Sequence, residues 1–232
     1  MDGTTAVVTG ASRGLGAAVA RTFADAGAHV VLCSRQAAAV ESVADDISES
    51  GGAATALRGD VRDEYDVERL LEQAARAGEA GGVDTVVANA GHYHGDPGQT
   101  PMAEESYAAF DDTLRTNVRG VFATVREAVP HLNDDARVLV PSGRIARDAK
   151  PGFGAYAVSK AAAEAVARQF AAELDQAVGV VDPGQVGTDL TGGQGRDPAD
   201  VAPMFRWAAT EAPAGDLDGG VLDLKGWKQA TR

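Results

Sequence analysis

The sequence predicts an α/β fold, with a parallel seven-stranded sheet that is doubly wound and carries helices on both faces. Three observations predict it. Strand-like and helix-like patterns alternate along the whole chain, the predicted strands are short continuous apolar runs such as AVV, TVVA and VLV, and 232 residues suit one large domain. Strands of this kind are typically buried on both faces, as in a parallel sheet covered by helices. We therefore predict one domain over residues 1–232.

The predicted elements of the first half follow one another with short connections. They are strands at 4–9, 29–34 and 53–58, and helices at 14–26, 37–49 and 64–77. Leu15, Val19 and Phe23 lie four residues apart, which places them on one face of the first helix. Val67 and Leu71 repeat this spacing in the third helix.

The second half continues the alternation with longer helices. The predicted strands are 84–88, 137–140, 178–181 and 221–224, and the predicted long helices are 112–132 and 154–174. Segments 91–101, 150–154 and 183–198 are rich in Gly and Pro and are predicted to be loops. Ligands of open α/β sheets bind at the carboxyl ends of the strands, so these loops are expected to border the functional site.

Charge and hydropathy exclude several functions. A formal net charge of −13 disfavours binding to nucleic acid. No run of about 18 apolar residues predicts a membrane span, and the N-terminus lacks the basic flank of a secretion signal, so we expect a cytoplasmic protein. Only four lysines accompany this acidity, which suggests a protein of a high-salt cytoplasm; an ordinary acidic protein encoded by GC-rich DNA is the alternative.

A glycine-rich turn joins the first strand to the first helix. Its sequence, TGASRGLG, occupies the position of a dinucleotide-binding loop in a Rossmann-type fold. Glycines allow the tight turn and the close approach of a pyrophosphate, whose charge the free N–H groups of the helix N-terminus stabilise. The predicted contacts are Gly10, Ser12, Arg13, Gly14, Leu15 and Gly16.

The end of the second strand indicates which dinucleotide binds. An NAD-binding chain usually has an acidic residue there, whereas this chain has Ser34 and Arg35, with Arg13 across the turn. A guanidinium suits the 2′-phosphate of NADP(H), so we predict NADP(H) over NAD(H).

The strongest chemical signal is the pair Tyr156 and Lys160, four residues apart on one face of a predicted helix. A free tyrosine, with a pKa of about 10, is a poor base at neutral pH, and a nearby cation favours the phenolate. Tyr156 is thus a candidate acid/base.

Ser142 ends the fifth strand, where its hydroxyl can stabilise a developing oxyanion or simply close the strand. Asn117, on the predicted long helix, can hold a backbone carbonyl or an ordered water, or can be a helix-surface amide.

Taken in order along the chain, these motifs and the segments Asp60-Val61, Asn89-Ala90-Gly91 and Pro183–Thr188 resemble the short-chain dehydrogenase/reductase family, in its single-domain branch. The resemblance implies an oxidoreductase that moves a hydride between NADP(H) and a carbonyl or alcohol substrate, assembled as a homodimer or homotetramer.

The resemblance also implies a role for each motif. Asp60 and Val61 would contact the adenine, and Asn89, Ala90 and Gly91 would flank the cofactor. Lys160 would bind the nicotinamide ribose and lower the pKa of Tyr156, Ser142 would orient the substrate, and Asn117 would complete a proton relay. The last segment would cap the nicotinamide through Pro183, Gly184, Val186 and Thr188.

Three features depart from the family pattern. Ser142 lies fourteen residues before Tyr156, where the family usually has thirteen, and Gly143 holds the expected position; we interpret this as a loop longer by one residue. The segment 174–181 is short and predicts a trimmed sixth strand. Few residues separate Thr188 from the next helix, which predicts a short lid and an open pocket.

His92 and His94 alternate after the Asn-Ala-Gly turn. Two histidines can ligate a metal, but the sequence offers no third ligand at suitable spacing. We therefore predict no metal site and expect both side chains to line the substrate pocket. Two further functions stay open: a catalytically weak NADP(H)-binding sensor or scaffold, and an isomerase or dehydratase that uses the same tyrosine.

Overall fold

The computed structural model describes residues 1–78 and 81–232. Seven strands form one parallel sheet in the order β3-β2-β1-β4-β5-β6-β7. The strands are β1 (Thr5–Thr9), β2 (His29–Ser34), β3 (Ala53–Arg58), β4 (Val83–Val87), β5 (Leu132–Pro141), β6 (Ala177–Asp182) and β7 (Val221–Asp223). The winding direction reverses between β1 and β4, which creates a crevice at their carboxyl ends. The predicted doubly wound Rossmann-type fold is confirmed.

Helices cover both faces of the sheet. They are α1 (Gly14–Asp25), α2 (Ala37–Glu49), α3 (Glu64–Ala77), α4 (Tyr107–Leu114), α5 (Gly120–Ala128), α6 (Gly154–Ala171), α7 (Pro198–Thr210), α8 (Ala214–Leu217) and α9 (Leu224–Ala230). Successive strand residues face opposite sides, so Val8 packs with Phe23 and Phe205 beneath α1, α2 and α7, whereas Val7 packs with Leu70 beneath α3, α5 and α6.

The predicted helix at 112–132 is wrong at both ends. The helix starts earlier, at Tyr107, and its two α-helical parts are joined by a π-helical turn, Arg115–Arg119. Pro130 lies in the 3₁₀ turn Val129–His131, where its missing N–H and its ring end the helix. Strand β5 then begins at Leu132, five positions before the predicted start.

Smaller differences concern the C-terminal third. Helix α6 ends before residue 174, and β6 is longer than predicted at both ends, so the sixth strand is not trimmed. Strand β7 stops at Asp223 because this carboxylate accepts a hydrogen bond from Gly226 N at 2.7 Å and caps α9. Over the described ranges, no helix has both the length and the apolarity that a bilayer crossing requires.

Candidate active site

A cleft of about 1480 Å³ opens at the carboxyl ends of the strands. Every residue predicted to bind the cofactor lines this cleft, and so do Ser142, Tyr156 and Lys160. Asn117 is the exception, since it is buried behind the wall. The fold thus brings the glycine-rich turn between β1 and α1 and the pair Tyr156 and Lys160 to the same cleft.

The glycines of the first turn are required by close packing. Gly10 has a φ of +67°, and a Cβ there would lie 2.7 Å from the Cα of Ala90. A Cβ on Gly16 would overlap the carbonyl oxygen of Gly10. Among the described residues no side chain caps α1, because its N-cap Arg13 makes no such hydrogen bond. The N–H groups of the first helical turn are therefore available to an anion.

Asn89 fastens this turn to the neighbouring strand. Its Nδ2 donates to the carbonyl oxygens of Thr9 at 2.9 Å and Gly10 at 3.2 Å. The Thr9 hydroxyl in turn accepts from Ala90 N at 3.0 Å. The ends of β1 and β4 are thereby held together at the floor of the cleft.

Two arginines, Arg13 and Arg35, border the cleft near the ends of β1 and β2. Arg13 forms an ion pair with Asp189 at 2.9 Å, and both side chains are about 70% exposed, at 68% and 71%. An exposed pair of this kind is worth about 0–1 kcal/mol, so a phosphate can compete for the guanidinium. Arg35 follows Ser34, whose hydroxyl accepts from the N–H of Gln36 at 3.1 Å.

Asp60 is held by Arg62, whose guanidinium donates to both of its carboxylate oxygens at 2.7–3.0 Å. Burial by itself would raise the pKa of Asp60, but the hydrogen bonds from Arg62 outweigh it and keep the pKa below its usual value. The same guanidinium reaches Asp112 through Nη1 at 2.8 Å. Val61 is buried beneath α5, where a Cβ on Gly120 would lie 2.6 Å from Val61 Cγ2.

Tyr156 and Lys160 are neighbours on α6, with the lysine Nζ 5.8 Å from the centre of the tyrosine ring. The ammonium group donates to the carbonyl oxygen of Pro141 at 3.1 Å. Burial lowers the pKa of Lys160 to about 8 and raises the pKa of Tyr156 to about 12, with a smaller contribution from Tyr93. Desolvation thus dominates at Tyr156 and raises the pKa of its phenol, whereas the resemblance implied a lowered one.

Tyr93 packs its ring edge against Tyr156, with ring centres 4.9 Å apart. Its hydroxyl contacts the Thr100 hydroxyl and donates to Gly152 O at 3.0 Å. The loops after β4 and before α6 are thus joined over the tyrosine. Sequence reasoning missed Tyr93, since no local pattern pairs it with Tyr156.

The Ser142 hydroxyl donates to Glu164 Oε1 at 2.7 Å. Glu164 is only 2% exposed, lies one helical turn after Lys160, and also faces Arg147. The neighbouring Gly143 lines the cleft without a side chain. The hydroxyl is thus committed to a buried carboxylate, a partner that the spacing of Lys160 and Glu164 could have suggested.

Asn117 lies in the π-helical turn, a feature often found at functional sites. Its Oδ1 accepts from His92 N at 2.8 Å, and its Nδ2 donates to His92 O at 2.9 Å and to the Ser159 hydroxyl at 3.0 Å. The amide therefore ties the π turn to the loop after Gly91.

His92 and His94 do not lie on the wall of the cleft, contrary to the expectation. Both rings face Asp112 of α4 instead. The sequence offered no third group near the two histidines, but the fold supplies one. Eighteen or more residues of chain separate them, and no spacing rule links a loop to a helix over that distance. Burial lowers the pKa of His92, with His94 adding to the shift.

Comparisons with known proteins match this arrangement. A family model described as short chain dehydrogenase matches residues 4–199. A short chain dehydrogenase/reductase of Aspergillus aculeatus is 36% identical over 196 residues, covering 82% of this chain and 72% of that protein. An NADPH-dependent aldehyde reductase-like protein of Arabidopsis thaliana is 34% identical over 206 residues, covering 82% and 75%. A short chain dehydrogenase crystal structure from Burkholderia cenocepacia, in complex with NADP, superposes with a TM-score of 0.85 at 29% identity and covers 97% of both chains.

Proposed function

The chain belongs to the short-chain dehydrogenase/reductase family of oxidoreductases, and from this premise we propose that it transfers a hydride between NADP(H) and a carbonyl or alcohol substrate, with Tyr156 as the acid/base. The observation that carries the proposal is the presence of Tyr156 and Lys160 on the wall of the same cleft as the glycine turn. Neither feature alone would distinguish an enzyme from a nucleotide-binding protein.

The residues present fit a bound dinucleotide. A Cβ on Gly10 would collide with Ala90 and one on Gly16 would collide with the Gly10 carbonyl oxygen, so only glycine allows this turn, the cradle. The first turn of α1 presents N–H groups to a pyrophosphate. Arg13 and Arg35 would hold the 2′-phosphate, which favours NADP(H), and the carboxylate of Asp60 would face the adenine. The relative from Burkholderia cenocepacia was crystallised with NADP, which supports this choice.

The chain's own groups suit proton transfer to a carbonyl. When bound, the nicotinamide supplies or accepts the hydride. With a pKa of about 12, the Tyr156 phenol is protonated at neutral pH and can donate its proton to the substrate oxygen. The Lys160 ammonium, beside the ring, stabilises the phenolate that remains. Ser142 lies on the same wall, and its hydrogen bond to Glu164 must break before the hydroxyl can donate to a substrate oxygen.

Turnover tests the proposal directly. Purified protein with NADPH and a panel of aldehydes and ketones, in low and in high KCl, is expected to consume NADPH at 340 nm. Tyr156→Phe is expected to reduce kcat at least 100-fold, the scale of acid/base catalysis, while NADPH still binds. Tyr107→Phe is the control, since Tyr107 is 92% exposed. Equal rates for wild type and Tyr156→Phe would contradict the proposal.

A second function is a weakly catalytic NADP(H)-binding sensor or scaffold. The hydrogen bond that occupies the Ser142 hydroxyl favours it, as does the glycine at position 143, where the family pattern places the serine. Tight NADPH binding without turnover on the panel, unchanged in Tyr156→Phe, would support this function. An isomerase or dehydratase would instead form product without net oxidation of the cofactor.

We also propose a homodimer or homotetramer that uses α5 and α6. Phe122 of α5 is 44% exposed and Val158 of α6 is 40% exposed, which leaves apolar side chains on these helices uncovered in one chain. Light scattering after size exclusion measures the mass, and Phe122→Glu with Val158→Glu is expected to give the monomer. A monomeric wild type would contradict this assembly.

A further inference from the structure

Three metal-binding side chains converge beside α4, away from the wall of the cleft. His94 Nε2 lies 3.1 Å and His92 Nε2 lies 3.5 Å from the same oxygen, Asp112 Oδ2. One ligand atom from each residue lies within 4.8 Å of the other two. The two imidazole rings are arranged edge to face, with centres 4.5 Å apart.

The spacing of these atoms fits a small tetrahedral ion. Bonds of about 2.0–2.2 Å to nitrogen and carboxylate oxygen place adjacent ligands of a tetrahedron about 3.4 Å apart. The two measured distances to Asp112 Oδ2, 3.1 and 3.5 Å, lie on either side of this value. An ion can therefore enter with small rotations of the three side chains.

One ligand atom lacks a partner. His92 Nε2 is buried and makes no hydrogen bond to any residue that the structure describes. A buried polar atom without a partner destabilises the fold by about 1–3 kcal/mol, so such atoms usually have a function or bind a ligand. An ion at this point would bind that nitrogen.

Two of the three residues are held in place by further contacts. Arg62 Nη1 donates to Asp112 Oδ1 at 2.8 Å and fixes the carboxylate, whereas Oδ2 is hydrogen-bonded to His94 Nε2 at 3.1 Å, a bond that an ion would replace. The backbone of His92 is bound on both sides by Asn117, at 2.8 and 2.9 Å.

We propose that His92, His94 and Asp112 bind one divalent transition-metal ion, with Zn²⁺ as the best fit and water in the fourth position. Two imidazoles and one carboxylate are a common donor set for Zn²⁺ and for non-haem Fe²⁺. The ion would join the loop after β4 to α4, next to Asn117. Its role is structural, since the three side chains do not reach the cleft that holds Tyr156.

Co²⁺ titration tests the site, because tetrahedral Co²⁺ absorbs strongly in the visible range. Protein without a histidine tag, stripped with EDTA and free of cofactor, is expected to bind one equivalent of Co²⁺, and Zn²⁺ is expected to displace it. Elemental analysis after equilibrium dialysis counts the Zn²⁺ bound. His94→Ala and Asp112→Asn are each expected to weaken binding at least about 10-fold.

Two matched controls separate the site from the acidic surface. Asp111→Asn removes the same charge at the adjacent exposed position, and His131→Ala removes a histidine elsewhere; both are expected to bind like wild type. His94 is 43% exposed, so its replacement spares the core, and circular dichroism verifies the fold of each variant.

Failure to bind one equivalent, or binding that His94→Ala and Asp112→Asn leave unchanged, would overturn the proposal. The titration contains neither NADPH nor substrate. A failed titration therefore does not affect the oxidoreductase proposal, and a failure to consume NADPH does not affect the proposed metal site.

Discussion

At the residue scale, the burial of Lys160 predicts a cost to the stability of the fold. Lys160 is half-buried in the wall of the cleft, and desolvation lowers the pKa of its ammonium group from 10.5 to about 8. A lysine with a lowered folded-state pKa opposes folding fully below pH 8, and the cost disappears as the pH rises from 8 to 10.5. We predict that Lys160→Met raises the free energy of unfolding at pH 7 by about 1–3 kcal/mol while turnover falls.

Urea unfolding of both proteins at pH 7 measures this change. Lys150→Met is the control, since Lys150 is exposed and its replacement is expected to alter stability by less than about 0.5 kcal/mol. A Lys160→Met protein less stable than wild type would show that the ammonium group stabilises the fold.

The same titration predicts the pH dependence of carbonyl reduction. The phenol of Tyr156, with a pKa near 12, keeps its proton throughout the usual range, whereas Lys160 loses its charge as the pH rises through about 8. We therefore expect kcat/KM for reduction to be level at pH 6–7 and to fall above about pH 8. Initial rates under low substrate report this profile for the free enzyme. A profile that stays level to pH 10 would exclude Lys160 as the controlling group.

Residue identities were predictable where one element carries them. Tyr156 and Lys160 follow from a single helical period, and the glycine turn follows from its place between a strand and a helix. The direction of the Tyr156 pKa shift was not predictable, because it depends on burial under the loop that contains Tyr93. The partner of the Ser142 hydroxyl, Glu164, belongs to another element.

At the element scale, the turn between β1 and α1 tolerates little added volume. A Cβ on Gly16 would meet both the Gly10 carbonyl oxygen and Asn89 Nδ2, and backbone there cannot move without displacing the helix N-terminus. We predict that Gly16→Ala weakens NADPH binding at least about 10-fold and destabilises the fold by about 1–3 kcal/mol. Calorimetric titration with NADPH measures the affinity.

Gly215→Ala is the matched control for that variant. Gly215 is an exposed residue of α8, and a Cβ there would meet no atom of the described residues within 4 Å. Unchanged NADPH affinity is expected for it. Equal affinities for both variants would show that the cradle at Gly16 does not hold the phosphates.

Element boundaries show what periodicity can and cannot predict. Helices α1, α2 and α3 start where predicted, because the regular apolar face of each helix begins directly after a loop that lacks this periodicity. The long helix was misplaced, because a π-helical turn shifts the helical phase at Arg115–Arg119 and only Pro130 marks the end. A single helical period cannot describe a helix that changes its winding.

At the scale of the whole molecule, the parallel sheet was predictable because buried strands leave a strong signal. Continuous apolar runs predict burial on both faces, and the alternation with helices predicts parallel crossovers. Contacts between distant parts were not predictable. Asp112 meets His92 and His94 only because α4 packs beside the loop after β4, and this packing leaves no trace in local spacing.

The net charge of −13 gives a prediction for the entire surface. Like charges repel across a compact molecule, and salt screens them, with a Debye length of about 10 Å at 0.1 M and 3 Å at 1 M. We expect the Tm to rise by about 3 °C or more between 0.05 and 1 M KCl, as a gain of about 1 kcal/mol would produce in a chain of this size. Differential scanning calorimetry measures it.

A charge variant separates screening from the general effect of salt on apolar burial. Glu41 and Asp45 are exposed, four residues apart on α2, and repel each other there by about 0.2–0.5 kcal/mol. The double variant Glu41→Gln and Asp45→Asn is expected to be more stable than wild type in 0.05 M KCl and equal to it in 1 M KCl, because salt has already removed the repulsion. If the double variant gains the same stability at both salt concentrations, the salt dependence of the Tm does not arise from surface charge.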